Sequence, residues 1–233
     1  MNRILLLLLA VFCTSVSGRP QEKGILFRWD FNDTTGQGLT SGQPVNPYGK
    51  FRTGGLTKFV PGVRGKAIQL DGFSSFIDVI PEDVSEKSTE MASFRLPRRI
   101  SIEAWVALGA YPWNLAPILT MGKYGITGFY FGIDSRGRPV FQVSDGTSTW
   151  HECTGKLNPG TKLGMELNRW YHVVATIDSQ AGLSVYVNGV PDGTANSFVD
   201  QRRIVYSDIE NGFRMGMNRE MMAPSDAIRN WAT

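Results

Sequence analysis

In Ile100-Ser101-Ile102-Glu103-Ala104-Trp105-Val106-Ala107-Leu108, the apolar residues Ile100, Ile102, Ala104, Val106 and Leu108 alternate with Ser101, Glu103, Trp105 and Ala107. Successive side chains of a strand point to opposite faces, so this period of two predicts a strand with one buried face. Ser101, Glu103, Trp105 and Ala107 then face the other way. The segment Arg169 to Asp178 repeats the pattern, with Tyr171, Val173, Ala175 and Ile177 on one side. Leu183, Val185 and Val187 continue it after a turn at Ser179 to Gly182, and Asn188-Gly189 supplies the strongest short hairpin signal.

Outward from these segments the same period recurs. Gly24 to Phe31 alternates Ile25, Phe27, Trp29 and Phe31 with Leu26, Arg28 and Asp30. Asn32 to Gly62 is rich in Gly, Thr, Ser and Pro and reads as a long loop with one short strand around Leu56 to Val60. Lys66 to Gly72 and Ser75 to Ile80 read as a hairpin turning at Asp71-Gly72. Pro81 to Arg99 interrupts the pattern. Pro117 to Gly122, Gly128 to Asp134 and Pro139 to Asp145 are further strands, the last two joined by Ser135-Arg136-Gly137-Arg138, and Phe213 to Met217 is the last. No sustained apolar period near 3.6 follows residue 18, so the expected fold is all-β: a two-sheet antiparallel sandwich in one domain over residues 24–233.

Residues 1–18 place Arg3 before the apolar run Ile4 to Phe12 and end on Val16-Ser17-Gly18. A charged start, a short apolar stretch and small residues at the cleavage site predict an export signal cut after Gly18. The run is too short to cross about 30 Å of hydrocarbon, so the mature form is expected not to span a membrane. The expected location is secreted or extracytoplasmic.

The chain has 24 Lys and Arg against 21 Asp and Glu; removal of Arg3 leaves 23 against 21. With only the short pairs Arg98-Arg99 and Arg202-Arg203, it lacks the clustered cations that nucleic acid binding requires. Cys13 leaves with the signal, so Cys153 has no partner for an internal disulfide, and the core must hold the domain. Cys153 near His151 is read as a covered thiol, and His172, opposite Tyr171 and Val173, as a structural histidine.

Four segments resemble the laminin-G-like branch of the concanavalin A-like lectin and glucanase jelly rolls. They are Trp29-Asp30-Phe31-Asn32-Asp33, Gly65-Lys66-Ala67-Ile68-Gln69-Leu70-Asp71-Gly72, Ile100 to Val106, and Asn168 to Asp178 running into Leu183 to Gly189. Their order and spacing match the family over roughly residues 25–218. The resemblance implies a jelly roll. It also implies one more strand, of Gly-x-Ile-Asp-Glu-Val pattern, after Phe213 to Met217; in its place stands Ile228-Arg229-Asn230-Trp231-Ala232, so the domain is expected to lack its final strand.

Glucanases of this superfold carry Glu-x-Asp-x-x-Glu or Glu-x-Asp-x-Glu on one strand, two carboxylates serving as acid and nucleophile. Here Glu103 is followed by Trp105 where the second acid would stand, and Asp208-Ile209-Glu210 lacks the third. No catalytic residue is assigned. The family resemblance implies a structural Ca²⁺ near the first loop, with Asp33 as candidate ligand; an Asx turn at Asn32-Asp33 is the alternative role. Sugar recognition calls for exposed aromatic rings beside polar groups. Tyr111, Trp113, Tyr130 and Trp150 fall in loops or on the non-core face of strands, near Asn114, Asp134 and His151. Trp113, Tyr130 and Trp150 are therefore the candidate ligand-binding residues, and plugging the ends of the sandwich is their alternative role. The expected function is a secreted, non-catalytic recognition domain for a glycan or an extracellular protein. The alternatives are an ancillary domain of a larger secreted hydrolase and a structural packing domain.

Overall fold

The structure, a computed structural model, describes residues 29, 31–32, 50–72, 74–80, 99–122, 128–144, 150–178, 181–195 and 213–216. The expected strand at Gly24 to Phe31 lies mostly outside them, as do Asp33, Asp208-Ile209-Glu210 and Ile228 to Ala232. Thirteen strands form among the described residues: β1 (Lys50–Gly54), β2 (Lys58–Pro61), β3 (Lys66–Gln69), β4 (Phe76–Ile80), β5 (Arg99–Ala107), β6 (Ala116–Met121), β7 (Phe129–Ile133), β8 (Pro139–Ser144), β9 (Trp150–Thr154), β10 (Trp170–Asp178), β11 (Gly182–Val187), β12 (Val190–Ala195) and β13 (Phe213–Met215). A seven-stranded antiparallel sheet has the order β1-β4-β13-β6-β7-β8-β9, a four-stranded sheet the order β12-β11-β10-β5, and β2 pairs with β3 alone. The fold is an all-β sandwich, as the period of two predicts.

The core lies between the two larger sheets. Phe129, Phe131 and Ile133 of β7 and Phe141 and Val143 of β8 face Val173, Ala175 and Ile177 of β10 and Leu183 and Val185 of β11, all buried. Phe141 has its ring centroid 6.2 Å from those of Phe129 and Phe131. Trp29 packs edge-on against Phe213 at 5.6 Å, which ties the first described residue to the last strand.

The turn chemistry follows the sequence at two hairpins. Asn188 and Gly189 take φ of 50° and 77°, the left-handed pair of a two-residue turn whose twist matches its strands. Between β7 and β8, Asp134 Oδ1 accepts the amides of Arg136 and Arg138, both at 2.9 Å, while its Oδ2 meets Arg138 Nε at 2.7 Å.

The expected hairpin over residues 66–80 does not form. β3 pairs with β2, whereas β4 pairs with β1 and β13. The reason is Asp71: its carboxylate accepts the amides of Ser74 and Ser75, both at 2.8 Å, as well as both serine hydroxyls. This side-chain cap widens the turn and sends the chain to another sheet. Two strands were also missed, β1 inside the expected loop and β9.

β12 carries an irregularity that leaves Asp192 between Gly193, opposite Val185, and Pro191, opposite Tyr186. Its carboxylate accepts the Lys156 amide at 3.1 Å. Burial pushes the carboxyl above its ordinary 3.8, against the opposing pull of the Lys156 amide and charge. A raised folded-state value means the native protein holds the proton more tightly. The penalty is therefore absent below 3.8 and grows as pH rises through the folded value. Asp192→Asn, which keeps an acceptor for Lys156, is expected to raise the melting temperature at neutral pH. That gain is expected to fade below pH 3.8; a gain equal at every pH would refute the charge as its source.

Candidate functional site

On β10, Val173, Ala175 and Ile177 enter the core, so Trp170, His172, Val174 and Thr176 face away from it. The antiparallel register carries this face across the four-stranded sheet in rows: Trp105 opposite His172; Glu103, Val174, Tyr186 and Pro191; and Ser101, Thr176, Ser184 and Thr194. At the end of β5, Ala107 lies opposite Trp170. The face thus bears aromatic side chains towards one end and a line of four hydroxyls at the other, about 14 Å apart along the strands.

Trp105 is the focus of this face. It is 52% exposed, although a strand interior on a rigid sheet holds its backbone. The His172 ring lies 5.2 Å from the indole, tilted by 34°, and His172 Nε2 is 3.2 Å from Glu103 Oε2. The Glu103 side chain is 72% exposed and that of His172 27%. His172 is held in turn by its backbone amide, which donates to Asn188 Oδ1 at 2.9 Å. A half-covered indole beside a carboxylate and an imidazole can stack on an apolar ring face and hydrogen-bond the groups around its rim. Farther along, Arg99 and Asp178 pair at 2.8 Å.

Of the residues expected to bind ligand, Trp113 is exposed, Tyr130 is buried, and the side chain of Trp150 lies outside the described residues. Trp113 stands in the connection from β5 to β6 and is 64% exposed, as an accessible ring requires. In the same connection Tyr111 donates its hydroxyl to the Met165 carbonyl at 3.1 Å, which ties this loop to the one before β10. Trp150 opens β9 opposite Ser144, and its side chain lies outside the described residues.

Tyr130 is a correction. It is 1% exposed and offers no face to a ligand. Its ring lies over Gly132, where a Cβ would come within 2.6 Å of it. Tyr130 belongs to a row across the outward face of the seven-stranded sheet: Asp78, Arg214, Thr120, Tyr130, Gln142 and Glu152. All of these but Glu152 are buried. Arg214 grips Asp78 with Nε to Oδ1 at 2.7 Å and Nη2 to Oδ2 at 2.9 Å, and its guanidinium lies 4.3 Å from the Phe76 ring centroid. Gln142 Nε2 reaches Glu152 Oε2 at 2.6 Å.

Asp33 lies outside the described residues. The Asn32 side chain next to it accepts the amide of Lys66, 34 positions on, at 2.8 Å, a long-range bond that ties this segment to the start of β3. Among the described residues no group of three or more His, Cys, Asp or Glu could hold a metal ion. Cys153 is buried in the core, and burial pushes its thiol above the ordinary value, which opposes thiolate formation.

The laminin-G model of the "Concanavalin A-like lectin/glucanases superfamily" matches residues 84–215, more than half of the chain. No curated protein matches the sequence. Among solved structures, the botulinum neurotoxin serotype D/C VPI 5993 binding domain is similar with a TM-score of 0.56 at 16% identity, over 76% of this chain and 41% of that one. A structure described under "Cell entry of botulinum neurotoxin type C is dependent upon interaction with two ganglioside molecules" is similar with 0.53 at 14%, over 73% and 38%. The binding domain of botulinum neurotoxin DC in complex with rat synaptotagmin II gives 0.50 at 15%, over 73% and 39%. The chain spans about two-fifths of the length of these structures, and at such identities the likeness is one of fold.

Proposed function

From the premise that the chain belongs to the Concanavalin A-like lectin/glucanases superfamily, we propose that it is an exported, non-catalytic recognition domain that binds a glycan on the outward face of its four-stranded sheet. The observation that carries this reading is Trp105: a large aromatic side chain, half exposed in the middle of a strand, flanked by Glu103 and His172. An indole in that position costs apolar exposure and contributes nothing to the core, whereas a pyranose has an apolar ring face that would cover it. On the outward face of the seven-stranded sheet the row from Asp78 to Gln142 is buried, Tyr130 included. The two solved neighbours described with gangliosides and with synaptotagmin support recognition as the class of function, as an analogy of fold.

Trp105→Ala is expected to weaken binding to the best polysaccharide of a panel by tenfold or more, about 1.4 kcal/mol, with an unchanged melting temperature. Affinity electrophoresis and titration of tryptophan fluorescence measure it. Trp113→Ala serves as the comparison. A loss confined to Trp113→Ala would move the site to the connection between β5 and β6 and overturn this placement.

A further inference from the structure

Resting on the glycan reading above, we infer that the face around Trp105 selects neutral sugars and rejects those bearing a carboxylate or sulfate. The inference stands on the charges that the register brings onto this face. β5 contributes Arg99 and Glu103, β10 contributes His172 and Asp178, and the outward positions of β11 and β12 carry Ser184, Tyr186, Pro191 and Thr194. Arg99, the only permanent cation among these described residues, is held by Asp178 at 2.8 Å, four strand positions from Glu103. Among the described residues of the face, the cationic group beside Trp105 that could meet an anion is the His172 imidazole, and that ring is already engaged at 3.2 Å by Glu103.

Glu103 is thus the charge that a sugar stacked on Trp105 would meet, and it is mostly exposed. A carboxylate is an acceptor with room for several hydrogen bonds, suited to the hydroxyls of a hexose. Against a second carboxylate or a sulfate it is a like charge at close range, and such a pair works as rejection even where the stacking surface is the same. The hydroxyl line Ser101, Thr176, Ser184 and Thr194 continues the uncharged lining across the sheet. The described charges of this face are one arginine against two carboxylates, Glu103 and Asp178, so discrimination by this face runs against what the chain's net positive charge alone would favour.

The test pairs sugars that differ only at one carbon: galactose oligomers against galacturonate oligomers, and glucose oligomers against glucuronate oligomers. Each is titrated into the full chain and into its Glu103→Gln and Trp105→Ala variants at fixed physiological salt. The wild type is expected to prefer the neutral member of a pair at least tenfold, Glu103→Gln to narrow that preference severalfold, and Trp105→Ala to lose both. Equal or tighter binding of the acidic member by the wild type, or a preference untouched by Glu103→Gln, overturns the inference and leaves the glycan reading standing. Binding that survives Trp105→Ala unchanged places the sugar elsewhere and overturns the inference for this face. Absence of binding by every oligomer and by the wider polysaccharide panel overturns the glycan reading, and the inference with it.

Discussion

Alanine in place of Asp78 is expected to destabilise the domain by about 3–5 kcal/mol. The Asp78 side chain is 2% exposed and that of Arg214 9%, and the two form a bidentate pair across 136 positions of sequence. Removing the carboxylate leaves the guanidinium largely desolvated beside the Phe76 ring without its counter-charge. The loss falls on the junction of β4 with β13, which joins β1 and β4 to the rest of the seven-stranded sheet. The complementary experiment replaces both partners with apolar residues of similar volume, Asp78→Leu with Arg214→Met. That variant is expected to recover most of the loss, because neither charge then remains to be desolvated. Urea unfolding with a constant slope measures both. A single variant costing less than about 1 kcal/mol would show that the pair is wet in solution.

Phe141→Ala is expected to cost about as much, 3–5 kcal/mol on the scale of aromatic truncations in cores. Phe141 is fully buried at the centre of β8, and its ring meets Phe131 edge-on and Phe129 at a tilt. β8 is hydrogen-bonded on both sides, to β7 and β9, so the backbone has little freedom to collapse into the space. Phe141→Leu, which fills much of that space, is expected to lose well under half as much. If alanine and leucine prove equally costly, ring contacts rather than volume would be the dominant contribution. The midpoint of chemical unfolding for the two variants decides between these.

The strands legible in the sequence are those whose own side chains alternate. β5, β10 and β11 were read at nearly their observed bounds because Ile, Val and Ala recur at every second position on a buried face. β9 has no such row: Trp150, His151, Glu152, Cys153 and Thr154 become a strand by pairing with β8, an interaction invisible in local pattern. β1 was hidden by the glycines and polar residues around it. The hairpin over residues 66–80 failed because Asp71 was read for its place before a glycine, while its carboxylate was serving two amides beyond that glycine.

The candidate site was legible in part. The alternation in β5 sets Glu103 and Trp105 on one side of the strand, and the structure keeps them there, but the sequence reading did not single out Trp105 among its exposed aromatic candidates. What the sequence could not supply was His172, sixty-seven positions on from Trp105, which arrives beside it through the register of β5 with β10. Tyr130 shows the opposite error. An outward-facing position on a sandwich strand was equated with a wet one, but that face of the larger sheet is buried along nearly a whole row of side chains.

The burial of Cys153 gives the molecule a built-in clock for its own opening. Its sulfur sits in the core where β9 faces β12, and burial also holds it in the unreactive thiol form. A disulfide reagent can reach it only while that margin of the sandwich is apart. The labelling rate under native conditions therefore counts those excursions directly: slow labelling that accelerates with denaturant in step with unfolding means the margin parts only when the whole domain does. Labelling far faster than global unfolding means the β9–β12 side comes loose alone.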